Sequence, residues 1–123
     1  YQALMCLSLQ AKSGDVFKCG IAIAPVTNWR LYDSAYTERF MRRPQVNEFG
    51  YEGTDLMKMA KDLTGELLIV HGLADDNVHA QNTLLYTDAL VKAGKQFEMQ
   101  LYEFVPICLE SSLVFFRNSL FKE

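Results

Sequence analysis

The chain has 123 residues, with 12 Lys and Arg against 15 Asp and Glu, a formal charge of −3 and 22% charged residues. Half of it is hydrophobic and it holds only three prolines and seven glycines, which excludes intrinsic disorder, a collagen-like repeat and a Gly/Pro linker, and makes one compact unit the expectation. A nucleic-acid binder needs clustered basic residues to neutralise phosphates; the densest group here is Arg39, Arg42 and Arg43, so no polyanion partner is implied.

The longest apolar runs, Leu67 to Val70 and Leu113 to Phe116, fall far short of the roughly 20 residues that cross a bilayer. No membrane span is expected. The chain opens Tyr1-Gln2-Ala3-Leu4 in place of an initiator Met and a charged leader, so neither a signal peptide nor a natural start can be read and the expectation is an internal piece. Cys6, Cys19 and Cys108 follow no C-x-x-C spacing and sit among apolar residues, where a free Cys acts as a small hydrophobe.

In chain order, Leu4, Met5, Leu7 and Leu9 without a breaker predict a helix already under way at the first residues and ending near Ser13-Gly14. Cys19 to Ala24 is short and uniformly apolar, as a buried parallel strand is, and Pro25 stops it. Residues 27 to 52 have weak periodicity and predict a long structured excursion with a short helix at Asp33 to Met41. Asp55 to Leu63, preceded by Thr54 as N-cap, predicts a helix, and Glu66 to Gly72 a second buried strand. A polar loop over 73 to 78 leads to a helix from His79 to Ala93, with Ala80, Leu84, Leu85, Ala89, Leu90 and Ala93 on one face and Gly94 as its αL terminator. Phe97, Met99 and Leu101 alternate with polar residues as a third strand, and Leu109 to Phe121 predicts a closing helix. Alternating strands and helices build an α/β fold with a parallel sheet, whose chemistry lies at the carboxyl ends of the strands.

That rule directs attention to Pro25-Val26 and to His71-Gly72-Leu73-Ala74-Asp75-Asp76-Asn77-Val78-His79. Asp75 is placed to orient a histidine as the acid of a Ser-His-Asp arrangement. Asp76 and Asn77 can instead satisfy the free N–H groups of the following helix. His71, Asp75 and His79 recur every four residues, but that spacing aligns side chains only on a continuous helix, which Gly72 and the loop interrupt. No metal and no cofactor are called for. Hydrogen bonding to loop backbone is the plainer reading of His71, and a place in the first helical turn that of His79.

H-G-L-A-D-D-N-V-H-A-Q-N-T at 71 to 83 and A-P-V-T-N-W-R-L-Y-D-S-A-Y-T-E-R-F-M at 24 to 41 closely resemble the C-terminal part of the α/β-hydrolase domain of dipeptidyl peptidase IV-like serine peptidases of the prolyl oligopeptidase family, in particular those of Bacteroidetes-type bacteria. The resemblance runs from Tyr1 to about Tyr102. It implies that Tyr1 closes the nucleophile elbow G-W-S-Y-G-G-Y, with the serine just upstream; Ser8, Ser13 and Ser34 are not on an elbow. It implies Asp75 as the triad acid. It also implies Val26, Trp29, Tyr32 and Tyr36 as walls of a small apolar pocket for proline or alanine, and Asn77 and Val78 as pocket residues, Asn77 bonding the carbonyl of the substrate's second residue. Aromatic faces suit a flat proline ring, although core packing is the plainer reading of the same residues.

The pattern breaks at the end. Where the family has Y-P-x-x-x-H-G, with the general base, the ungapped register puts Ile107, and residues 103 to 123 diverge. The expectation is therefore a partial peptidase domain over 1 to 123, inert alone, from a parent that releases Xaa-Pro or Xaa-Ala dipeptides from peptide N-termini. Resemblance further implies a β-propeller, a homodimer and export to the periplasm or cell surface. A non-catalytic hydrolase-like binding module is the alternative, and an esterase of the same fold fits the pocket residues less well. The strand at Cys19 to Ala24 is expected to have a free, aggregation-prone edge.

Overall fold

The computed structural model describes residues 2–103. Helix α1 (Gln2–Lys12) buries Leu4, Leu7 and Ala11 and leaves Met5 and Leu9 exposed. A 3₁₀ turn (Gly14–Val16) then leads into strand β1 (Cys19–Ile23). Helix and strand approach so closely that a Cβ on Gly20 would lie 2.4 Å from Gln10 Oε1. From that position Gln10 Nε2 donates to the Glu66 carbonyl at 2.9 Å, tying α1 to the start of strand β2 (Glu66–Gly72). Gly65, at φ +76° and with the Lys18 carbonyl oxygen 2.5 Å from any Cβ it might carry, makes the turn into β2. Only glycine meets both demands.

Strands β1, β2 and β3 (Glu98–Tyr102) form a parallel sheet in that order. The register pairs Gly20 with Leu67, Ala22 with Ile69, and Ile69 with Met99. Stepping one way across the sheet by right-handed crossovers sets the connecting helices on one face. There Ala22, Leu67 and Ile69 meet Leu4 and Leu7 of α1, Leu56 of α4 (Leu56–Met59), and Tyr86 and Leu90 of α5 (Gln81–Lys92). Leu68 and Val70 are buried on the other face with Cys19, Ile21 and Tyr102 against them. Each of these fully buried aliphatics contributes about 1.5–3 kcal/mol.

The excursion between β1 and α4 holds a 3₁₀ turn (Trp29–Leu31), helix α2 (Ser34–Met41) and helix α3 (Glu48–Gly53). The last was not expected, because two glycines dilute its pattern; Asn47 caps it by accepting from Gly50 N. The cap of α4 is Asp55, which accepts from Met57 N at 3.0 Å, and not Thr54, whose hydroxyl donates back to the Gly50 carbonyl at 2.9 Å. The single helix expected over 55 to 63 is α4 followed by a 3₁₀ turn (Ala60–Asp62). Helix α5 begins at Gln81, not at His79, and buries a different face from the one expected: Asn82, Thr83, Tyr86, Thr87 and Leu90 face inward while Leu84 and Leu85 are 48% and 38% exposed. The closing helix over 109 to 121 and Ile107 lie outside the described residues.

Strand β1 pairs only with β2 among the described residues. Along its other edge Met5, Cys6, Leu9, Phe17 and Cys19 line an apolar groove of about 410 Å³. An unpaired strand beside an apolar groove is a template for association. The isolated chain is expected to be polydisperse in light scattering, and Leu9→Lys with Phe17→Lys, both at exposed positions of the groove, to reduce that association. A monodisperse unmodified chain with a sharp melt would contradict this.

Burial pushes the Tyr86 phenol up to about 12, with the Cys6 thiol nearby adding to the shift. The unfolded chain loses that proton near pH ~10 and the folded one near 12. The folded state therefore holds the extra proton between them, and stability falls by about 2–3 kcal/mol as pH rises through that window. In the Leu9→Lys, Phe17→Lys background, Tyr86→Phe should flatten the alkaline limb of the stability curve measured in urea.

Candidate active site

Parallel pairing brings the carboxyl ends of β1 and β2 to one edge, and two loops leave there side by side. Ala24, just beyond β1, donates its N–H to the Val70 carbonyl at 2.8 Å and takes a left-handed φ of 44°. That turn is strained for a residue with a Cβ, and it sends Pro25-Val26 away from the sheet. Thr27 then anchors the loop: its N–H donates to Asn82 Oδ1 at 3.0 Å, its hydroxyl to the Asn82 carbonyl at 2.7 Å, and its own carbonyl accepts from Leu56 N at 3.0 Å. Asn28 caps the 3₁₀ turn by accepting from Arg30 N at 2.9 Å, and Asp33 caps α2 by accepting from Tyr36 N at 2.8 Å.

These caps fix three aromatic rings together. Trp29 and Tyr36 stack at 6.1 Å between centroids with an interplanar angle of 24°. Tyr32 meets both edge-on, at 6.0 Å and 5.5 Å. Offset and T-shaped arrangements are the favoured ones for aromatic quadrupoles.

The second loop follows β2. Asp75 Oδ1 accepts from the backbone N–H groups of Asn77 and Val78 at 3.0 and 2.9 Å. Asp75 thus closes a turn within its own loop with one oxygen, while the first N–H of α5 is met by His79 and not by Asp76 or Asn77. Its Oδ2 lies 3.8 Å from His71 Nε2, beyond hydrogen-bond length, and accepts no hydrogen bond among the described residues. His71 is buried, with Nε2 2.7 Å from the Val78 carbonyl and Nδ1 2.6 Å from the Thr83 hydroxyl. His79 precedes α5 and is exposed, its Nδ1 accepting from Gln81 N at 3.1 Å. The three residues do not converge as ligands, and no group of three or more His, Cys, Asp or Glu among the described residues could hold a metal ion.

The two loops are joined by a hydrogen bond from the Tyr32 hydroxyl to Asn77 Oδ1 at 2.8 Å. Between them lies a cavity of about 480 Å³ lined by Val26, Trp29, Tyr32, Tyr36, Asn77 and Val78, with Ala24 and Ala3 beside them. All six residues singled out for a substrate pocket thus line one space, and Asp75 sits on the loop that supplies two of them. Because Tyr32 occupies the amide oxygen of Asn77, its Nδ2 remains as a donor. Its walls combine aromatic and aliphatic side chains with polar groups from Gln2, Asn77 and the tyrosines, a lining that can take a small apolar side chain beside a carbonyl.

Thr27, Asn82 and Thr83, which hold these loops, were not singled out in the sequence. A signal was present: 82, 83, 86, 87 and 90 recur at helical spacing as a stripe of mixed polarity, which an apolar count passes over in favour of Leu84 and Leu85. Cys6 and Cys19 are half-buried free thiols, and burial raises the Cys6 thiol against the opposing hydrogen bond from Ile21, the behaviour of structural cysteines.

The family model described as the prolyl oligopeptidase family matches residues 2–104. The chain is 46% identical to venom dipeptidyl peptidase 4 of Apis mellifera over 105 residues, 83% of this chain and 13% of that protein. It is 53% identical to a probable dipeptidyl-aminopeptidase B of Pyrenophora teres f. teres over 90 residues, 71% of this chain and 10% of that protein. The crystal structure of Porphyromonas gingivalis dipeptidyl peptidase 4 is similar with a TM-score of 0.83 and 44% identity, covering 97% of this chain and 18% of that one. A putative dipeptidyl aminopeptidase IV from Bacteroides ovatus follows at a TM-score of 0.79 and 35% identity, covering 81% and 14%. The chain thus spans about a tenth of the length of the curated relatives named here.

Asn82 is buried and both its side chain and its carbonyl serve Thr27. Asn82→Leu keeps the bulk but leaves the buried Thr27 N–H unpaired, a loss of about 1–3 kcal/mol. Urea unfolding in the Leu9→Lys, Phe17→Lys background should show a lower midpoint at unchanged slope. A midpoint shift worth under about 0.5 kcal/mol, the range of neutral surface changes, would remove Thr27–Asn82 as the anchor.

Proposed function

The chain belongs to the prolyl oligopeptidase family, and on that footing we propose that it forms the acid and specificity pocket of a serine dipeptidyl peptidase that releases Xaa-Pro and Xaa-Ala dipeptides from peptide N-termini. The observation that carries this reading is the single cavity lined by Val26, Trp29, Tyr32, Tyr36, Asn77 and Val78 beside the Asp75 loop. In the proposed role the proline or alanine side chain lies against Trp29, Tyr32, Tyr36 and Val26, and Asn77 Nδ2 donates to a substrate carbonyl. Asp75 Oδ2, the carboxylate oxygen not committed to its own loop, receives the Nδ1–H of the base histidine and fixes its tautomer. A serine would attack the scissile carbonyl and the histidine would take its proton, in the acyl-transfer sequence of this chemistry. Neither group is identified in the chain: Ser8, Ser13 and Ser34 are not on an elbow and Ile107 stands at the histidine's place. The proposal extends to a homodimeric longer protein acting on peptides at the periplasm or cell surface. No helix among the described residues is long and apolar enough to cross a membrane.

A second reading, a non-catalytic binding module, is favoured by Ile107. The encoding DNA separates the two: an upstream G-x-S-x-G and an out-of-frame Y-P-x-x-x-H support the peptidase, and their absence supports the module.

The isolated chain is expected to leave Gly-Pro-p-nitroanilide intact. A longer protein in which residues 1–102 follow a G-x-S-x-G elbow and run in frame into Y-P-x-x-x-H should cleave that substrate at least about tenfold faster than the Gly-Leu analogue, and Asp75→Asn should lower kcat about 10⁴-fold. Turnover by the isolated chain, or equal rates on the two substrates, would overturn the proposal.

A further inference from the structure

The buried imidazole of His71 has no part in the acyl-transfer sequence, yet both its ring nitrogens are engaged. Nε2 faces the Val78 carbonyl at 2.7 Å and Nδ1 faces the Thr83 hydroxyl at 2.6 Å. A carbonyl oxygen only accepts, so Nε2 carries the hydrogen; Nδ1 is then the acceptor and the Thr83 hydroxyl the donor. The Val78 carbonyl therefore sets the tautomer, and the Thr83 hydroxyl of α5 pairs the other nitrogen. Val78 is held at both ends of its backbone: its carbonyl accepts from His71, and its N–H donates to Asp75 Oδ1 at 2.9 Å. The same residue presents its side chain to the cavity, and its neighbour Asn77 donates its own N–H to the same carboxylate oxygen at 3.0 Å.

We infer that His71 is a positioning residue for the site. Its Nε2–H clamps the Val78 carbonyl, and Val78 in turn fixes the orientation of the Asp75 carboxylate and one wall of the cavity, with the Thr83 hydroxyl pairing Nδ1 and holding the ring in place. The clamp rests on the peptidase reading only for its consequence in catalysis; its effect on the loop is independent of that reading. A side chain that merely filled the space would impose no requirement for a donor at the Nε2 position. A clamp does impose one, because a loop without it is free to shift by the fraction of an ångström that orientation catalysis does not tolerate.

The test uses the same longer protein, in which residues 1–102 run in frame into Y-P-x-x-x-H, with His71→Leu, His71→Gln and Thr83→Val. The Gln amide nitrogen reaches the position of Nε2 and restores a donor, whereas Leu restores only bulk. The clamp predicts that His71→Leu lowers kcat on Gly-Pro-p-nitroanilide about 10²-fold and speeds hydrogen exchange at the Asn77 and Val78 amides, and that His71→Gln recovers most of both. It also predicts that ¹⁵N spectra of the imidazole show hydrogen on Nε2 in the wild type and, because the Val78 carbonyl still requires a donor, in Thr83→Val as well. Equal behaviour of the Gln and Leu variants, or unchanged exchange in the Leu variant, overturns the clamp. If His71→Leu does not fold, the ¹⁵N spectra decide: hydrogen on Nδ1, in the wild type or in Thr83→Val, overturns it. If the wild-type protein fails to cleave the substrate, the peptidase reading falls, and the exchange and ¹⁵N measurements still judge the clamp.

Discussion

Strand β2 has a parallel neighbour on each edge, and Leu67, Leu68, Ile69 and Val70 in it are all but removed from water. A segment buried on both faces must have its backbone groups satisfied by neighbouring strands, since water cannot reach them. That requirement sets the register of β1 and β3, and with it the point at which each strand stops. Both loops of the candidate site hang from those stopping points. The Val26 loop leaves where β1 ends beside Val70, and the Asp75 loop leaves two residues later along β2.

Loops released at a sheet edge have no ladder to hold them, so their geometry depends on other polar contacts. Here these contacts are buried. Thr27 is tied to Asn82 through its amide and hydroxyl and to Leu56 through its carbonyl, and His71 is tied to Thr83 and Val78. Buried hydrogen bonds of this kind contribute modestly when made and cost much more when one partner is lost. Helix α5 is thus both a covering layer for the sheet and the post to which both loops are fastened. This double use explains why its inward face is Asn82, Thr83, Tyr86 and Thr87 near its beginning and becomes aliphatic only at Leu90.

The strands were legible because a run such as Leu67 to Val70, bounded by Gly65 and Gly72, has few alternatives. The pocket residues were legible through two long motifs, which the cavity brings together. Helix α5 was legible as a helix but not in its orientation: an apolar count chose Leu84 and Leu85, and the side that goes inward is chosen by hydrogen bonds to Thr27 and His71, which no local period encodes. The small errors are of the same kind. Asp55 and Thr54 are adjacent candidates for one cap, and the choice falls to the residue whose side chain reaches Met57 N while the other returns to the Gly50 carbonyl. Helix α3 was hidden because Gly50 and Gly53 lower its propensity, and its Asn47 cap and the burial of Tyr51 compensate.

Asp75 shows how one side chain can hold its own loop and still keep an oxygen for a second partner. A carboxylate that spent both oxygens on its own loop would be rigid but chemically silent, and one that spent neither would be free to turn. Asp75 spends Oδ1 on the Asn77 and Val78 amides and keeps Oδ2 outside that turn. Two N–H donors on one oxygen fix the plane of the carboxylate, so the direction in which Oδ2 accepts is determined by the loop. The loop is in turn determined by the Val78 carbonyl contact with His71. Orientation of the acid therefore originates in α5 and the end of β2, two elements well buried in the core, and reaches Oδ2 through a short series of hydrogen bonds. In the proposed triad role, a carboxylate that holds an imidazole in one tautomer needs its own direction fixed in this way, since any freedom in it would pass directly to the base.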